Sequence, residues 1–186
     1  SHIDIGGGLG ISYNNEESPD KSLFISTILD LLKPLATTIL IEPGRSIVGE
    51  AGLLVSKVIN TKKSSSKNFV VVDAGMTDLL RPPLYSAYHS IKEVFHTGTN
   101  KTLCDVVGPV CETADFIGKD RNLSLSKGDY IAVECVGAYG FALSSNYNTR
   151  LKSAEYLITK DSRDIKKIRD RDTIEQILEN EIKYLL

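Results

Sequence analysis

The sequence predicts an α/β segment over residues 1–50, followed by an antiparallel β domain of β-sandwich or Greek-key type over residues 51–186. Two glycine-containing turns, each placed directly after a short apolar run, indicate the α/β segment. Short β-rich runs separated by polar segments begin near Ala51 and indicate the β domain. Apolar residues at helical spacing near the C-terminus predict a final amphipathic helix.

The α/β segment is predicted to form one strand, helix, strand unit. Its strands are the runs Ile3–Ile5 and Thr37–Ile41, and the second run is β-branched and continuous, as expected of a strand buried on both faces. Ser18 is placed to cap the intervening helix with Pro19 at its first position, and Pro34 closes the helix near its end. The apolar residues at helical spacing are Phe24, Ile28, Leu31, Leu32 and Leu35.

Both glycine turns are predicted to open at one edge of the strand pair, because the crossover helix returns the chain to the same end of the sheet. The turns are Gly6–Gly8 and Glu42–Arg45. A phosphate bound by backbone N–H groups needs close approach and left-handed dihedrals, which Gly7, Gly8 and Gly44 permit. We interpret the turns as a phosphate site, with simple chain reversal as the alternative.

The α/β segment is expected to be the last piece of a (β/α)₈ barrel, in which the final two strand-end loops often bind phosphate. Two parallel strands alone cannot cover their own edges. The chain starts with Ser1 in a predicted strand, and its only methionine is Met76. We therefore expect earlier barrel strands to precede this sequence in the parent protein.

Five runs rich in β-branched and aromatic residues predict the β domain. They are Leu53–Ile59, Phe69–Asp73, Asp105–Val107, Tyr130–Val136 and Glu155–Thr159. The segment Lys62–Lys67 is expected to be an exposed hairpin loop with solvated lysines. Residues Thr77–His89 are predicted to form helix or turn, broken by Pro82 and Pro83. After Thr173, the terminal helix is expected to pack through Ile174, Ile177, Leu178, Ile182 and Leu185.

Composition indicates a soluble, cytoplasmic globular protein. The chain has 186 residues, of which 41% are hydrophobic, so it can bury a real core. Its net charge of −2, with both signs mixed, argues against nucleic acid as a partner. Cys104, Cys111 and Cys135 are odd in number and form no CxxC pattern, which argues against disulfides and a zinc site. The apolar stretch Tyr130–Leu143 contains Glu134 and is too short to span a bilayer.

Five ordered motifs carry a resemblance that extends over nearly the whole chain. They are IDIGGGLGI at 3–11, EPGRSIVG at 42–49, VVDAGMTDLLRPPLY at 71–85, DVVGPVCETADF at 105–116 and GAYGFALSSNYN at 137–148. Together they resemble the C-terminal part of the ornithine, diaminopimelate and arginine decarboxylases, a pyridoxal-phosphate-dependent family with an alanine-racemase-like barrel and a β domain. RPPLY and a Cys-Glu pair, where ornithine enzymes typically have Cys-Asp, resemble the diaminopimelate branch.

The resemblance implies that pyridoxal 5′-phosphate binds at the glycine turns. The residues implied to hold it are Gly7, Gly8, Glu42, Pro43, Gly44, Arg45 and Tyr139. Glu42 would face the pyridine nitrogen and keep it protonated, so that the ring accepts the electron pair left when carbon dioxide departs. A simple salt bridge between Glu42 and Arg45 is the structural alternative.

By the same resemblance, Cys111 would be the general acid that reprotonates the substrate carbanion. A thiol suits this role because thiols in model peptides have a pKa of about 8.5 and are mostly protonated at neutral pH. Without the GPVCETADF context, a cysteine in an apolar neighbourhood is more often an inert core residue. Cys104 and Cys135 have no such context, and we interpret them as structural.

The resemblance also implies substrate-binding roles. Glu112 would bind the distal ammonium of meso-diaminopimelate, and Tyr139 would contact both cofactor and substrate. Arg45, Arg81 and Tyr85 would bind the region of the distal carboxylate, which a guanidinium can hold bidentately. For the two tyrosines, packing with an exposed polar tip is the alternative. The glycines that flank Tyr139 favour a tight, closely approached loop.

The family resemblance implies a homodimer in which the Cys-Glu loop of one subunit completes the site of the other. The lysine that links covalently to the cofactor and the histidine that stacks on it would lie in a barrel segment absent from this sequence. We interpret His2, His89 and His96 as structural or exposed. We therefore expect the parent enzyme to decarboxylate meso-diaminopimelate to L-lysine, and this chain alone to be inactive, whether the N-terminal half belongs to the same protein or is a separately made chain. The alternatives are a noncatalytic binding or regulatory partner and a related basic amino-acid decarboxylase.

Overall fold

A computed structural model describes residues 1–95, 100–159 and 164–184 of the chain. These residues form a small parallel strand pair near the N-terminus, a six-stranded sheet, and a C-terminal hairpin with a helix. No helix in the described ranges has the length and apolar content needed to cross a membrane. His96 and Leu185, both named in the sequence predictions, lie outside the described residues.

The N-terminal strand, helix, strand unit is present as predicted. Strands β1 (His2–Asp4) and β2 (Thr38–Leu40) are parallel, and helix α1 (Lys21–Leu32) connects them. The prediction that Ser18 caps α1 is wrong, because the Asp20 carboxylate accepts hydrogen bonds from the amides of Ser22 and Leu23. The helix tightens into a 3₁₀ turn over Lys33–Leu35, where Pro34 lies.

The second strand of this pair is less buried than its composition predicts. Leu40 and the following Ile41 are exposed in this chain, whereas Ile39 is half-buried. The expectation of a strand buried on both faces is therefore wrong for this chain, because only β1 pairs with β2 among the described residues. The role of the unit as a barrel remnant stays a prediction.

The main sheet has the strand order β5, β8, β3, β4, β6, β7. Its members are β3 (Leu54–Lys63), β4 (Asn68–Val72), β5 (Ile91–Glu93), β6 (Thr102–Val107), β7 (Phe116–Leu123) and β8 (Tyr130–Val133). Neighbouring strands are antiparallel except β4 and β6, which are parallel. The purely antiparallel prediction is wrong at this pair, since the chain crosses over through helix α3 (Arg81–Tyr85) and β5 before it returns beside β4.

Alternating apolar side chains of the sheet strands form one core, together with Leu79 of the connecting segment. Its buried members are Val58, Val70, Val72, Leu79, Ile91, Cys104, Val106, Ile117, Leu123, Ile131 and Val133. Burial of Cys104 agrees with its predicted structural role. Strand β7 is not predicted from the sequence, because FIGKDRNL contains four consecutive polar residues and only Ile117 and Leu123 belong to the core.

The polar segment Lys62–Lys67 contains a hairpin loop, as predicted, but the loop is shorter than the segment because Lys62 and Lys63 are the last residues of β3. Strands β3 and β4 pair up to Lys63 opposite Asn68. The prediction that all its lysines are solvated is wrong for Lys67, whose Nζ lies 2.8 Å from Asp105 Oδ2. The hydrogen bond with Asp105 raises the pKa of Lys67.

The two prolines of the predicted broken segment lie inside a short helix. Pro82 and Pro83 follow Arg81 in the first turn of α3, where a proline costs no intrahelical hydrogen bond. Ser86, at φ +52°, ends the helix in the left-handed region. The prolines therefore begin a helix and do not break one.

The C-terminal part contains the antiparallel strands β9 (Glu155–Ile158) and β10 (Ile165–Arg169), then helix α4 (Ile174–Ile182). Helix α4 starts after Thr173, as the sequence predicts, and the structure adds a capping box between Thr173 and Gln176. Of its apolar residues, Ile177 and Leu178 are half-buried, whereas Ile174 and Ile182 are exposed, so the predicted packing is observed only in part within this chain.

Candidate active site

The two glycine turns lie side by side at the ends of β1 and β2. The amide of Glu42 donates a hydrogen bond to the carbonyl oxygen of Gly6 at 2.8 Å, and the amide of Ile5 donates to Leu40 at 3.1 Å. A Cβ atom on Gly7 would overlap the carbonyl oxygen of Glu42. The turns therefore share one edge of the strand pair, as predicted from the crossover.

The glycines have different conformational roles from those predicted. Gly6 and Gly8 have φ values of +68° and +76°, which favour glycine. Gly7 and Gly44 are outside the left-handed region, so the prediction of left-handed dihedrals is wrong for them. Gly7 is required by its close approach to Glu42 instead. A Cβ atom on Gly8 or Gly44 would have no atom within 4 Å other than those of adjacent residues, so the space beside the backbone is open at both positions.

The loop that carries Tyr139 is fixed against the segment that follows the second glycine turn. The short helix α2 (Arg45–Val48) runs into a 3₁₀ turn over Gly49–Ala51. The amide of Gly137 donates to the carbonyl oxygen of Gly49 at 3.0 Å, and a Cβ on Gly137 would overlap the carbonyl oxygen of Val48. This contact brings the tyrosine loop to the segment that begins at Arg45.

Tyr139 itself lies on a tight turn, as its flanking glycines predict. Its φ is +62°, and its side chain is 46% exposed. A Cβ on Gly140 would overlap the carbonyl oxygen of Val136, so the chain reverses closely at this point. The tyrosine is therefore presented to solvent and is not part of the core.

Glu42 and Arg45 do not form the salt bridge considered from the sequence. Among the described residues, no ion pair joins them, and the Glu42 side chain is exposed. The carboxylate is thus available at the same edge as the glycine turns. Its exposed position gives the structural alternative no support.

The Cys111–Glu112 pair lies on an exposed loop between β6 and β7. Asp115, which is only 5% exposed, organises this loop. One oxygen of its carboxylate accepts from the amide of Val110 and the other from the amide of Met76, both at 2.6 Å. The loop is therefore attached to the segment that leads into α3.

The backbone of Asp115 closes the same loop. Its carbonyl oxygen accepts from Gly108 at 2.9 Å, and its amide donates to the carbonyl oxygen of Glu112 at 3.0 Å. A Cβ on Gly75 or Gly108 would collide with the Asp115 carboxylate, which explains both glycines. Sequence reasoning did not select Asp115, although the position of this acidic residue within the CETADF motif could have suggested it.

Arg81 is buried at the start of α3, with 8% of its surface exposed. Its Nη1 lies 3.0 Å from Nε2 of His89, and its guanidinium lies over the ring of Tyr13, 4.8 Å from the centroid. Tyr85, at the other end of α3, is 64% exposed. The sequence placed His89 among structural residues, and its complete burial agrees with that interpretation.

The predicted site residues fall into two connected groups. The glycine turns, Glu42, Arg45 and Tyr139 form the first group. The second group consists of helix α3, with Arg81 and Tyr85, and the loop with Cys111 and Glu112. The Asp115 carboxylate connects this loop to residues 75–80, which lead into α3. Among the described residues, no hydrogen bond joins Cys111 or Glu112 to the glycine turns.

The other two cysteines have partners that agree with a structural role. The thiol of Cys104 donates to the carbonyl oxygen of Arg121, and that of Cys135 donates to the carbonyl oxygen of Ser12. Burial raises the pKa of both thiols, which disfavours a reactive thiolate.

Comparison with known proteins identifies the family. The model of the pyridoxal-dependent decarboxylase C-terminal sheet domain matches residues 13–137. Diaminopimelate decarboxylase from Haemophilus influenzae is 47% identical over 178 residues, which are 95% of this chain and 42% of that protein. The corresponding protein of Neisseria meningitidis serogroup A is 43% identical over 184 residues, which are 99% of this chain and 45% of its own length.

A solved structure agrees with the sequence relatives. Diaminopimelate decarboxylase from Helicobacter pylori, complexed with L-lysine, has a TM-score of 0.89 and 45% identity to this chain. The match covers 98% of this chain and 45% of that one. The chain thus spans less than half the length of the relatives it matches. A family match over most of the six-stranded sheet and a fold shared with the solved relative lead to one conclusion: this chain belongs to the pyridoxal-dependent ornithine, diaminopimelate and arginine decarboxylase family, of which it contains the C-terminal sheet domain.

Proposed function

We propose that this chain is the C-terminal part of a diaminopimelate decarboxylase, which converts meso-2,6-diaminopimelate to L-lysine and carbon dioxide. The observation that carries the proposal is the similarity to diaminopimelate decarboxylases over nearly the full chain. The chain contains Glu42, Cys111, Glu112 and Tyr139 together, which favours a catalytic parent over a noncatalytic binding partner. A binding partner would need neither a carboxylate that keeps the cofactor ring protonated nor a thiol that donates a proton to the substrate.

The glycine turns fit the phosphate of pyridoxal 5′-phosphate. Gly7 brings the two turns together where any side chain would overlap Glu42, and the backbone at Gly8 and Gly44 is open. Main-chain amides from Gly7, Gly8, Gly44 and Arg45 would surround the phosphate, with the Arg45 guanidinium adding positive charge. Since Pro43 has no N–H, it would shape the turn without donating.

The bound cofactor supplies an electron sink for the pair released when the substrate carboxylate leaves as carbon dioxide. Within this chain, Glu42 would hold a proton on the pyridine nitrogen, and Tyr139 would close the site over cofactor and substrate. Cys111 would donate a proton from Sγ to the substrate carbon. Replacing Cys111 with alanine therefore removes the donor and leaves the phosphate contacts in place.

Substrate selection would come from the second group of residues. A second amino-acid head distinguishes diaminopimelate from lysine and ornithine, so the site needs groups for a distal ammonium and a distal carboxylate. We propose that Glu112 binds the ammonium and that Arg81, Arg45 and Tyr85 bind the carboxylate. For Arg81→Ala we expect weaker substrate binding with the cofactor still bound, measured as an increase in KM.

The site is proposed to be complete only in an assembled homodimer. Exposure of the Cys111–Glu112 loop is consistent with a loop that reaches the glycine turns of a second subunit. This chain has no residue in a motif equivalent to the family's cofactor-linking lysine, so we propose that it needs an N-terminal half to be active.

The test is reconstitution. This chain is mixed with the N-terminal half of its parent protein and pyridoxal phosphate, and carbon dioxide release is measured from meso-diaminopimelate, ornithine and arginine. We expect release from meso-diaminopimelate with the mixture and none with this chain alone. A preference for ornithine or arginine would contradict the substrate assignment, and failure with all three amino acids would favour a noncatalytic role.

A further inference from the structure

We infer that His89 is a positioning residue for Arg81: the buried imidazole holds the guanidinium so that its remaining N–H groups face the distal carboxylate of the substrate. The inference rests on the substrate-binding role proposed for Arg81. It assigns a function to a histidine for which the sequence motifs indicate none.

The hydrogen bonds fix the protonation of the ring. Nε2 of His89 lies 3.0 Å from Nη1 of Arg81, and Nδ1 lies 2.9 Å from the carbonyl oxygen of Glu134. A guanidinium only donates, so Nε2 must accept; a carbonyl oxygen only accepts, so Nδ1 must carry the proton. Both hydrogen bonds can exist together only in the neutral ring protonated at Nδ1.

Packing holds both side chains in this arrangement. His89 is completely buried, and Arg81 is 8% exposed. The ring of Tyr13 meets His89 edge-on at 5.1 Å, with an interplanar angle of 78°, and also lies 4.8 Å from the Arg81 guanidinium carbon. Tyr13 comes from the N-terminal segment, so one tyrosine connects the segment after the first glycine turn to α3.

The interaction leaves one side of the guanidinium available. An arginine has five N–H donors in a planar fork. In the described part of the chain, the hydrogen bond given to Arg81 uses Nη1, so Nε and Nη2 can still bind a carboxylate. An ordered guanidinium loses less conformational entropy when it binds than a mobile side chain does.

The surrounding charges favour the neutral ring. Burial lowers the pKa of His89, the hydrogen bond to the Glu134 carbonyl opposes this, and the charges of Arg81 and Arg121 lower the pKa further. Arg121 Nη2 also donates to the backbone carbonyl of His89 at 3.2 Å. The Glu134 carboxylate pairs with Lys92 at 3.7 Å and is therefore partly neutralised. Protonation of Nε2 would remove the acceptor and place two positive charges next to each other.

A purely structural histidine would fill space and stabilise the fold without affecting substrate affinity. The two roles predict different effects of losing the Nε2 acceptor. Substrate affinity should fall only if the hydrogen bond from Arg81 to Nε2 orients the guanidinium. His89→Gln is expected to place its amide oxygen near the position of Nε2, whereas His89→Phe keeps the ring volume and removes the acceptor. The pair of variants therefore separates hydrogen bonding from packing.

The kinetic experiment uses the complete enzyme, assembled from this chain and its N-terminal half. Loss of a hydrogen bond to a charged group raises KM by about tenfold or more, so we expect this increase for His89→Phe, with kcat and cofactor affinity changed much less. His89→Gln is expected to restore KM to within about threefold of the original value. In the unsubstituted enzyme, KM should also rise as the pH falls through the pKa of His89, which burial sets below the ordinary histidine value of about 6.5, and this rise should disappear in His89→Gln.

A spectroscopic measurement on the full chain tests the geometry without relying on activity. Nitrogen-15 shifts of the His89 ring should indicate the neutral form with the proton on Nδ1 at pH 7, and Arg81→Leu should raise the pH at which the ring titrates. A charged ring at pH 7, or a proton on Nε2, would overturn the inference. If His89→Phe does not fold, the titration and the kinetics of His89→Gln decide the matter.

The outcomes separate this inference from the proposed function. Normal turnover of meso-diaminopimelate with unchanged KM in His89→Phe would refute the positioning role alone. Absence of turnover in the unsubstituted enzyme would refute the proposed function and the positioning role that rests on it. In that case the nitrogen shifts would still establish whether the neutral histidine holds Arg81.

Discussion

Replacing Asp115 with alanine should release the loop that carries Cys111 and Glu112. The carboxylate is 5% exposed and accepts hydrogen bonds from the amides of Val110 and Met76, both at 2.6 Å. The Met76 contact fastens the loop to the segment before α3, and the Val110 contact holds the loop itself in shape. Their removal therefore affects both the stability of the chain and the geometry proposed for the general acid.

The size of the effect follows from these two interactions. A hydrogen bond to a charged group contributes about 1.5–3 kcal/mol, and each buried amide left unpaired adds a desolvation cost. Cys111 and Glu112 are exposed, so water can reach part of the opened loop. We therefore expect Asp115→Ala to lower the free energy of unfolding by about 3 kcal/mol, and Asp115→Asn, which keeps one acceptor oxygen, by about half as much.

Urea unfolding of the full chain measures this change, and Asp170→Ala provides the matched control. Asp170 also has a carboxylate in an ion pair, with Lys167 at 2.9 Å, but its side chain is 84% exposed. Exposed pairs contribute less than about 1 kcal/mol, so the control should unfold almost as the original chain does. In the assembled enzyme, Asp115→Asn should lower kcat more than it raises the dissociation constant of pyridoxal phosphate.

Equal stability losses in Asp115→Ala and Asp170→Ala would show that the two amide contacts contribute nothing beyond an exposed ion pair. A loss of stability in Asp115→Asn without any change in kcat would limit Asp115 to a structural role. Either result would refute the argument that this carboxylate positions Cys111.

Three other predictions concern the glycine turns, the proton donor and pH. Gly7→Ala should weaken pyridoxal phosphate binding by at least about tenfold in the assembled enzyme because its Cβ would overlap Glu42, whereas Gly10→Ala, with only ordinary contacts to its new Cβ, should bind normally in a fluorescence titration. Cys111→Ala should slow carbon dioxide release at least about a hundredfold with little change in cofactor affinity, and an unchanged rate would remove this thiol from the mechanism. Burial lowers the pKa of His89, so the unfolded chain takes up the proton first as pH falls through about 6.5, and stability is lost below that pH. Urea unfolding at pH 7.5 and 5.5 should show a smaller loss in His89→Gln; equal losses would argue against the assignment.

Local patterns in the sequence predict much of the fold. The parallel pair, its crossover helix, the hairpin between β3 and β4 and the start of the last helix after Thr173 all follow from residues close together in the chain. Strand β7 and the parallel pairing of β4 with β6 could not be predicted in this way. The strand β7 is largely polar, and the pairing depends on where the chain returns after α3.

Local sequence patterns likewise predict some features of the candidate site and not others. Motif order identifies the family, and the spacing of the glycine turns predicts that they meet at one edge, which the contact between Gly7 and Glu42 confirms. The roles of Asp115 and His89 could not be predicted because their partners lie 39 residues and 8 residues away along the chain and are recognised only by distance.

The sequence by itself determined the family, the strand, helix, strand unit and the residue types available for chemistry, because these depend on local periodicity and on ordered motifs. Only the tertiary structure decided that Arg81 is buried against His89 and that a carboxylate holds the Cys111 loop. The physical reason is that burial and hydrogen-bond geometry come from contacts between distant segments. The same arginine or aspartate in the sequence would suit a solvated surface equally well.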